Sequence, residues 1–267
     1  MNGLHLYMRY VGISVRSQMQ YHASLVLLSV GSFLSGAIEI LAIWALFERF
    51  KTLRSWRLPE IALFFGLIRT AIAIGDAFGR GFDVFGRLIR SGQFDRILLR
   101  PRSAALQVVG TELTVHRAGK FLQGLIVLIW ASHALEIGWT FATVCLVVAS
   151  VLGGACFFIG LWVLQATMAF WTVETLEIMN ALTYGGCETA QYPLSIYRRW
   201  FRRFFTFVVP LACVSYYPAM CILDRQSQVL PGWSWFAWAS PCVGLAFLFG
   251  CLQIWRFGVW HYRSTGS

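Results

Sequence analysis

Long apolar runs separated by polar intervals set the layout of this chain. Six windows are apolar over about the 20 residues that a membrane span needs: Ala23 to Phe47, Ile61 to Phe78, Gln107 to Ala134, Trp139 to Trp171, Phe204 to Leu223 and Phe236 to Phe257. No stretch alternates apolar and polar positions as a half-buried strand does, so the pattern predicts an all-α fold. The third and fourth windows are longer than a bilayer requires and are expected to tilt or project from it. Pro210 and Pro218 fall inside the fifth, which is therefore expected to be kinked or interrupted. The first window carries Glu39 and lacks a small-x-small cleavage site, so it reads as a retained anchor rather than a cleaved leader.

The longest basic interruption is Gly79 to Arg102. At about 100° per residue, Phe82, Phe85, Leu88 and Ile89 share one side of a helix, and Arg80, Asp83, Arg87 and Arg90 share the other. Ser91 and Gly92 break that period. Gln93 to Leu99 then starts a second short helix, which Pro101 ends because the residue before a proline is pushed out of the helical region. Two readings of this helix, elbow and helix are open at this stage: a basic surface lying on anionic lipid, and a docking element for a soluble partner.

Residues 1–22 form a moderately amphipathic segment with Arg9 and Arg16 on one face, an interfacial helix leading into a six-span domain over 23–267. A second polar interval, 172–203, begins irregular and acidic with Glu174, Glu177 and Glu188 and is expected to be a cytosolic interfacial segment. It ends two-faced. Tyr197, Trp200, Phe201, Phe204 and Phe205 recur at helical spacing against Arg198, Arg199, Arg202 and Arg203, a pattern suited to a lipid headgroup boundary. A nucleic-acid surface is disfavoured for these arginines, because their aromatic stripe runs on into a span. Trp233, Trp235 and Trp238 at one end of the last window, with Trp255, Trp260 and Tyr262 at the other, read as aromatic belts.

Composition agrees with a membrane setting. With 58% hydrophobic and 13% charged residues, the 267-residue chain lacks the polar surface of a water-soluble globule. Placing the N-terminus inside puts 16 of the 22 Lys and Arg on the inner side and 5 outside, with Arg69 alone in a span, so both termini and both polar intervals are expected in the cytosol. Glu39, Arg69 and Asp76 lie well inside apolar windows. Glu39 and Arg69 fall at matching depth on consecutive spans, which predicts an ion pair or a shared substrate-facing site.

Enzymatic signatures do not occur. There is no phosphate-binding loop, no HExxH and no GxSxG, and the five histidines are dispersed. The seven cysteines show no metal-ligand spacing and read as packing residues, six in apolar runs and Cys187 in a polar loop.

Residues 90–101, RSGQFDRILLRP, resemble the "G-E/Q-F/L-D-x-L/I-L-L-R-P" signature of the uncharacterised group of type-2 ABC (ABC-2) permeases, with Gln93 where an acid is frequent. Gln191 to Tyr197, Val209-Pro210-Leu211 with Tyr217-Pro218-Ala219, and Tyr262 to Ser267 resemble one branch of that group. The resemblance implies the permease subunit of an exporter in the bacterial cytoplasmic membrane. It implies no cofactor on this chain, with ATP and Mg bound by a separate cytosolic ATPase dimer, and a second permease chain, different or identical, completing the pathway. It also assigns the ATPase-coupling surface to Gly92, Gln93, Phe94, Asp95, Arg96, Ile97, Leu98, Arg100 and Pro101, with Phe94, Ile97 and Leu98 as the apolar face offered to the partner. Glu39, Arg69 and Asp76 become candidates for an intramembrane path. A stand-alone enzyme acting on lipid phosphates and a non-transporting membrane scaffold are the alternatives.

Overall fold

A computed structural model describes residues 3–112, 117–171, 176–225 and 234–262. Helices α1 (Gly3–Met19), α2 (His22–Phe50), α3 (Leu58–Asp83), α4 (Phe85–Arg90), α5 (Gln93–Leu98), α6 (Ala104–Val109), α7 (Ala118–Ala134) and α8 (Phe141–Met168) make up the first part of the chain. They are followed by α9 (Leu176–Ala190), α10 (Arg199–Arg203), α11 (Leu211–Val214), α12 (Tyr216–Ile222), α13 (Ser234–Ala239) and α14 (Cys242–His261). Among the described residues there is no strand, as the apolar pattern predicts. Glu174, Trp233 and the terminus after Tyr262 lie outside the described residues.

Helix α3 is the axis. It starts cleanly because Pro59 is tolerated in the first turn and Glu60 Oε2 accepts the Arg57 backbone N–H at 2.7 Å. Ile61, Leu63, Phe64, Phe65, Leu67 and Ile68 are all essentially inaccessible, so this first half of the helix is enclosed by protein on every side. α7 and α8 pack along it, α14 packs on the far side of α8, and α2 lies outside α7. Only Gly36 and Phe47 of α2 are buried, which leaves most of that helix exposed on the outside of the bundle.

Among the described residues four helices are long and apolar enough to cross a membrane, up to five if one bent pair counts as a span. The six expected windows are corrected at two places. The third splits into α6 and the 17-residue α7, with described breaks at Gly110 to Glu112 and at Arg117. The fifth does not cross. Its two arms, Arg199–Val208 and Leu211–Ile222, meet at 78° beside Pro210. Both outer ends of this pair return to the same end of the bundle: Ile196 just before it accepts from Arg54 Nη1 (2.9 Å), and Arg225 just after it pairs with Glu60 (2.6 Å).

α9 and its connector run between the two ends of α3. From the middle of α9, Tyr184 Oη donates to Asp83 Oδ2 (3.1 Å) at the α4 end of α3, and beyond its finish Trp56 Nε1 donates to Ser195 Oγ (3.0 Å) at the opposite end. The described part of the interval 172–203, from Leu176 onward, therefore runs from one end of α3 to the other. Its arginines Arg198, Arg199, Arg202 and Arg203 sit with loop 51–57, opposite the hairpin, because Trp56 and Arg54 tie the preceding turn there. This removes four cations from the side on which they were counted, so the division of 16 against 5 no longer holds. Cys187, expected in a loop, is buried within α9.

Candidate functional site

The basic interruption folds as the spacing predicts: α4, an elbow, then α5. Gly92 forms the elbow with φ 64°, a left-handed conformation that costs an ordinary L-residue about 1 kcal/mol or more. Helical residues run almost without a break from Leu58 to Arg90, so the hairpin is the continuation of the central axis rather than a separate loop.

The inward side of the hairpin is an aromatic cage. Phe94 is 0% exposed and lies edge-on to Phe85 at 4.9 Å and to Tyr262 at 5.1 Å, with Phe170 at 5.5 Å and Trp255 at 6.3 Å. Such ring pairs add stabilisation beyond the area they bury. Ile97 is buried as well. The face expected from Phe94, Ile97 and Leu98 is thus divided: the first two anchor α5 to α14 and to the end of α8, and Leu98 and Leu99 point outward, Leu99 at 86% exposure. Asp95 is half-buried beside Tyr262. Burial and that carboxylate together push the Tyr262 phenol above its ordinary value, which keeps it protonated.

Two contacts secure the return arm. Gly81 of α3 meets the Val108 carbonyl of α6 so closely that no side chain fits between them. The buried Gln107 amide donates to the carbonyls of Ile97 (3.2 Å) and Arg102 (3.3 Å), tying α6 to the end of α5 and to the turn that follows it. Gln93, Arg96, Leu98, Leu99, Arg100 and Pro101 form the exposed outward surface, together with Arg87 and Arg90. Beside it, Arg87, Leu88, Ser91, Gln93, Thr111 and Glu112 line a cleft of about 560 Å³, across which Arg87 pairs with Glu112 at 3.2 Å.

A polar seam runs up the axis from this hairpin. Arg69, Asp76, Arg80 and Asp83 are offset by seven, four and three residues and so share one face of α3. Arg69 donates to Glu39 of α2 at 3.1 Å, the juxtaposition that their matching depth predicts. Asp76 pairs with Arg117 at the head of α7, and Arg80 pairs with Asp83 at 2.6 Å. Asp83 also receives Tyr184, while Gln165 Nε2 donates to Asn180 Oδ1 (2.9 Å) and Thr183 donates to Gln165 Oε1 (3.3 Å). The hairpin root, α8 and α9 are thereby joined by one hydrogen-bonded network. Arg117 and this network were missed in the sequence, although the spacing of Asp76, Arg80 and Asp83 signals a polar face that needs partners.

Arg198, Arg199, Arg202 and Arg203 are exposed, and so is Trp200, while Tyr197 stacks on Phe201 (4.9 Å) and Phe201 lies against Phe205 (4.7 Å). Among the described residues no cluster of His, Cys, Asp and Glu could hold a metal ion. A family model described as ABC-2 family transporter protein matches residues 33–266. No curated protein and no solved structure matches the chain.

Proposed function

This multi-pass membrane protein belongs to the ABC-2 family of transporter proteins, and on that premise we propose that it is the permease of an ATP-driven exporter, docked on a separate cytosolic ATPase dimer. It forms half of a pathway completed by a second permease chain, in a bacterial cytoplasmic membrane with the hairpin and both termini in the cytosol. ATP is hydrolysed on the partner, and closure of the ATPase is passed to the spans through a stiff element.

The observation that supports this most is the construction of the hairpin. It continues the central axis, is caged on its inner side by Phe85, Phe94, Phe170 and Trp255, and leaves Leu98, Leu99 and Arg100 outward. A push on the outer face moves α3, and through Asp83 it moves α9 too. The outward leucines supply an apolar anchor and Arg100 a charge to pair with an acidic residue of the partner. Leu99→Asp is expected to leave a folded permease that loses about 30-fold or more in ATPase retention, the effect of removing one interface hot spot. Unchanged copurification of the ATPase with Leu99→Asp would overturn the docking assignment.

Orientation has its own test. The eight Lys and Arg between Arg80 and Lys120 still crowd the hairpin end. A cysteine placed at Ser91 is expected to stay unlabelled by an impermeant thiol reagent added outside cells, and one at Glu136 to react. The reverse pattern would invert the topology and remove the hairpin from any cytosolic partner.

The seam of Glu39, Arg69 and Asp76 with Arg117 is the polar feature of the spans best placed to line the path. Charged side chains at this depth face protein, water or substrate rather than lipid.

A further inference from the structure

Between α2 and α7, on the hairpin side of the Glu39 and Arg69 pair, lies a cavity of about 400 Å³ walled by Leu27, Leu28, Ser32, Ser35, Arg117 and Lys120. Helix packing creates it. The two helices touch where Ser29 and Phe33 meet Gly119 and where Gly36 meets Gln123, so the neighbouring stripe of α2 stands off from α7. Leu27 and Leu28 are 74% and 51% exposed, so the crevice opens to the outside of the bundle. α7 has 17 residues and spans about 25 Å at 1.5 Å per residue. Its first turn, which carries Lys120, therefore sits close to the edge of a hydrocarbon core about 30 Å thick.

Arg69 is matched by Glu39 and Arg117 by Asp76; Lys120 has no carboxylate within ion-pair distance among the described residues, and Asp76, Glu39 and Glu188 act on it only from further away. Ser32 also lines the crevice, and its carbonyl accepts from Ser35 Oγ at 3.0 Å. An ammonium at this depth is costly unless an anion meets it. The adjoining leaflet presents one group at that level bearing a negative charge, several acceptor oxygens and two apolar chains.

We propose that the crevice holds the phosphate of an anionic membrane phospholipid, with Lys120 as its counter-charge, Arg117 and Ser32 as flanking donors, and an acyl chain along Leu27 and Leu28. Basic pockets between helices on the cytoplasmic side are suited to such headgroups. The site is separate from the hairpin docking surface and stands whether or not the chain is an exporter.

The test is native mass spectrometry of the full chain purified in mild detergent, with melting followed in nanodiscs of phosphatidylglycerol or phosphatidylcholine. The wild type is expected to retain about one anionic phospholipid and to melt higher in phosphatidylglycerol. Lys120→Gln should lower retention about fivefold and erase the difference between the two lipids, while Lys120→Arg keeps both. Should Lys120→Gln fail to fold, Ser32→Val, at an uncharged position, carries the test by a partial loss of retained lipid. Wild-type retention in both Lys120→Gln and Ser32→Val would overturn the site. Stabilisation by inorganic phosphate alone, equal to that by phosphatidylglycerol, would overturn the lipid in favour of a free anion.

Discussion

Phe94→Asp is expected to remove most of the folded protein. Phe94 is fully buried among Phe85, Phe170, Trp255 and Tyr262, so truncating it to alanine alone forfeits about 3–5 kcal/mol through lost transfer energy and the cavity left behind. A carboxylate in the same cage adds the cost of a buried charge without a counter-ion, several kcal/mol more unless it takes up a proton. Together these approach the whole stability of an ordinary domain, about 5–15 kcal/mol. Detergent-extracted yield and thermal melting of Phe94→Asp, Phe94→Leu and Leu99→Asp make the comparison. The order expected is a near-total loss, a modest loss and wild-type behaviour. If Phe94→Asp melted with the wild type, the ring would have to be presented outward, and the division of the hairpin into an inner and an outer face would fail. The comparison also guards the docking assignment, since a loss of ATPase retention counts as a coupling defect only in a variant that remains folded.

The second large effect is expected at Glu39 and Arg69. Arg69 is 5% exposed, bonds Glu39 at 3.1 Å and lies over the face of Phe65 at 5.6 Å. Removing Glu39 leaves a guanidinium near the middle of the spans with only a ring beneath it. Breaking one partner of a buried pair, or placing an unpaired arginine at the centre of a span, costs roughly 3 kcal/mol. Glu39→Ala should therefore lower the amount of inserted protein and its melting temperature, and Arg69→Ala, which leaves the Glu39 carboxylate without this partner, should do so as well. The exchange Glu39→Arg with Arg69→Glu separates pairing from mere polarity. Partial recovery over both single reversals is expected, and an exchange no better than either would show that the two groups act independently.

What the chain alone determined follows from local chemistry. A backbone donor or acceptor in lipid must be satisfied within its own segment, so long apolar runs without alternation could only be helices. Gly92 marked the elbow because it follows a basic helix and precedes a second apolar period, and φ 64° is the conformation that a glycine there allows. Pro210 marked the break between the two arms of the fifth window because it cannot continue a helical hydrogen-bond ladder. Glu39 and Arg69 were legible as a pair because a rise of 1.5 Å per residue fixes depth on two consecutive antiparallel helices.

Tertiary structure decided the rest, for a physical reason that is the same in each case. Hydropathy reports that a segment avoids water, and a protein interior satisfies that demand as well as lipid does. The apolar stretch Phe204 to Leu223 therefore looked like a crossing, yet both its ends return to the same end of the bundle, while α9, carrying Asn180, Thr183 and Tyr184, packs along the bundle because Gln165 and Asp83 meet those polar groups. Periodicity likewise showed that Phe94 and Ile97 share a side of α5 but not what that side meets. Only the arrival of Trp255 and Tyr262 from the last helix, more than 150 residues away, turned it inward and left Leu98 and Leu99 to face outward. Asp76 found Arg117, and Arg198 to Arg203 found their end of the membrane, through contacts between elements distant in sequence. Helical spacing fixes which residues share a face, and packing decides what that face touches.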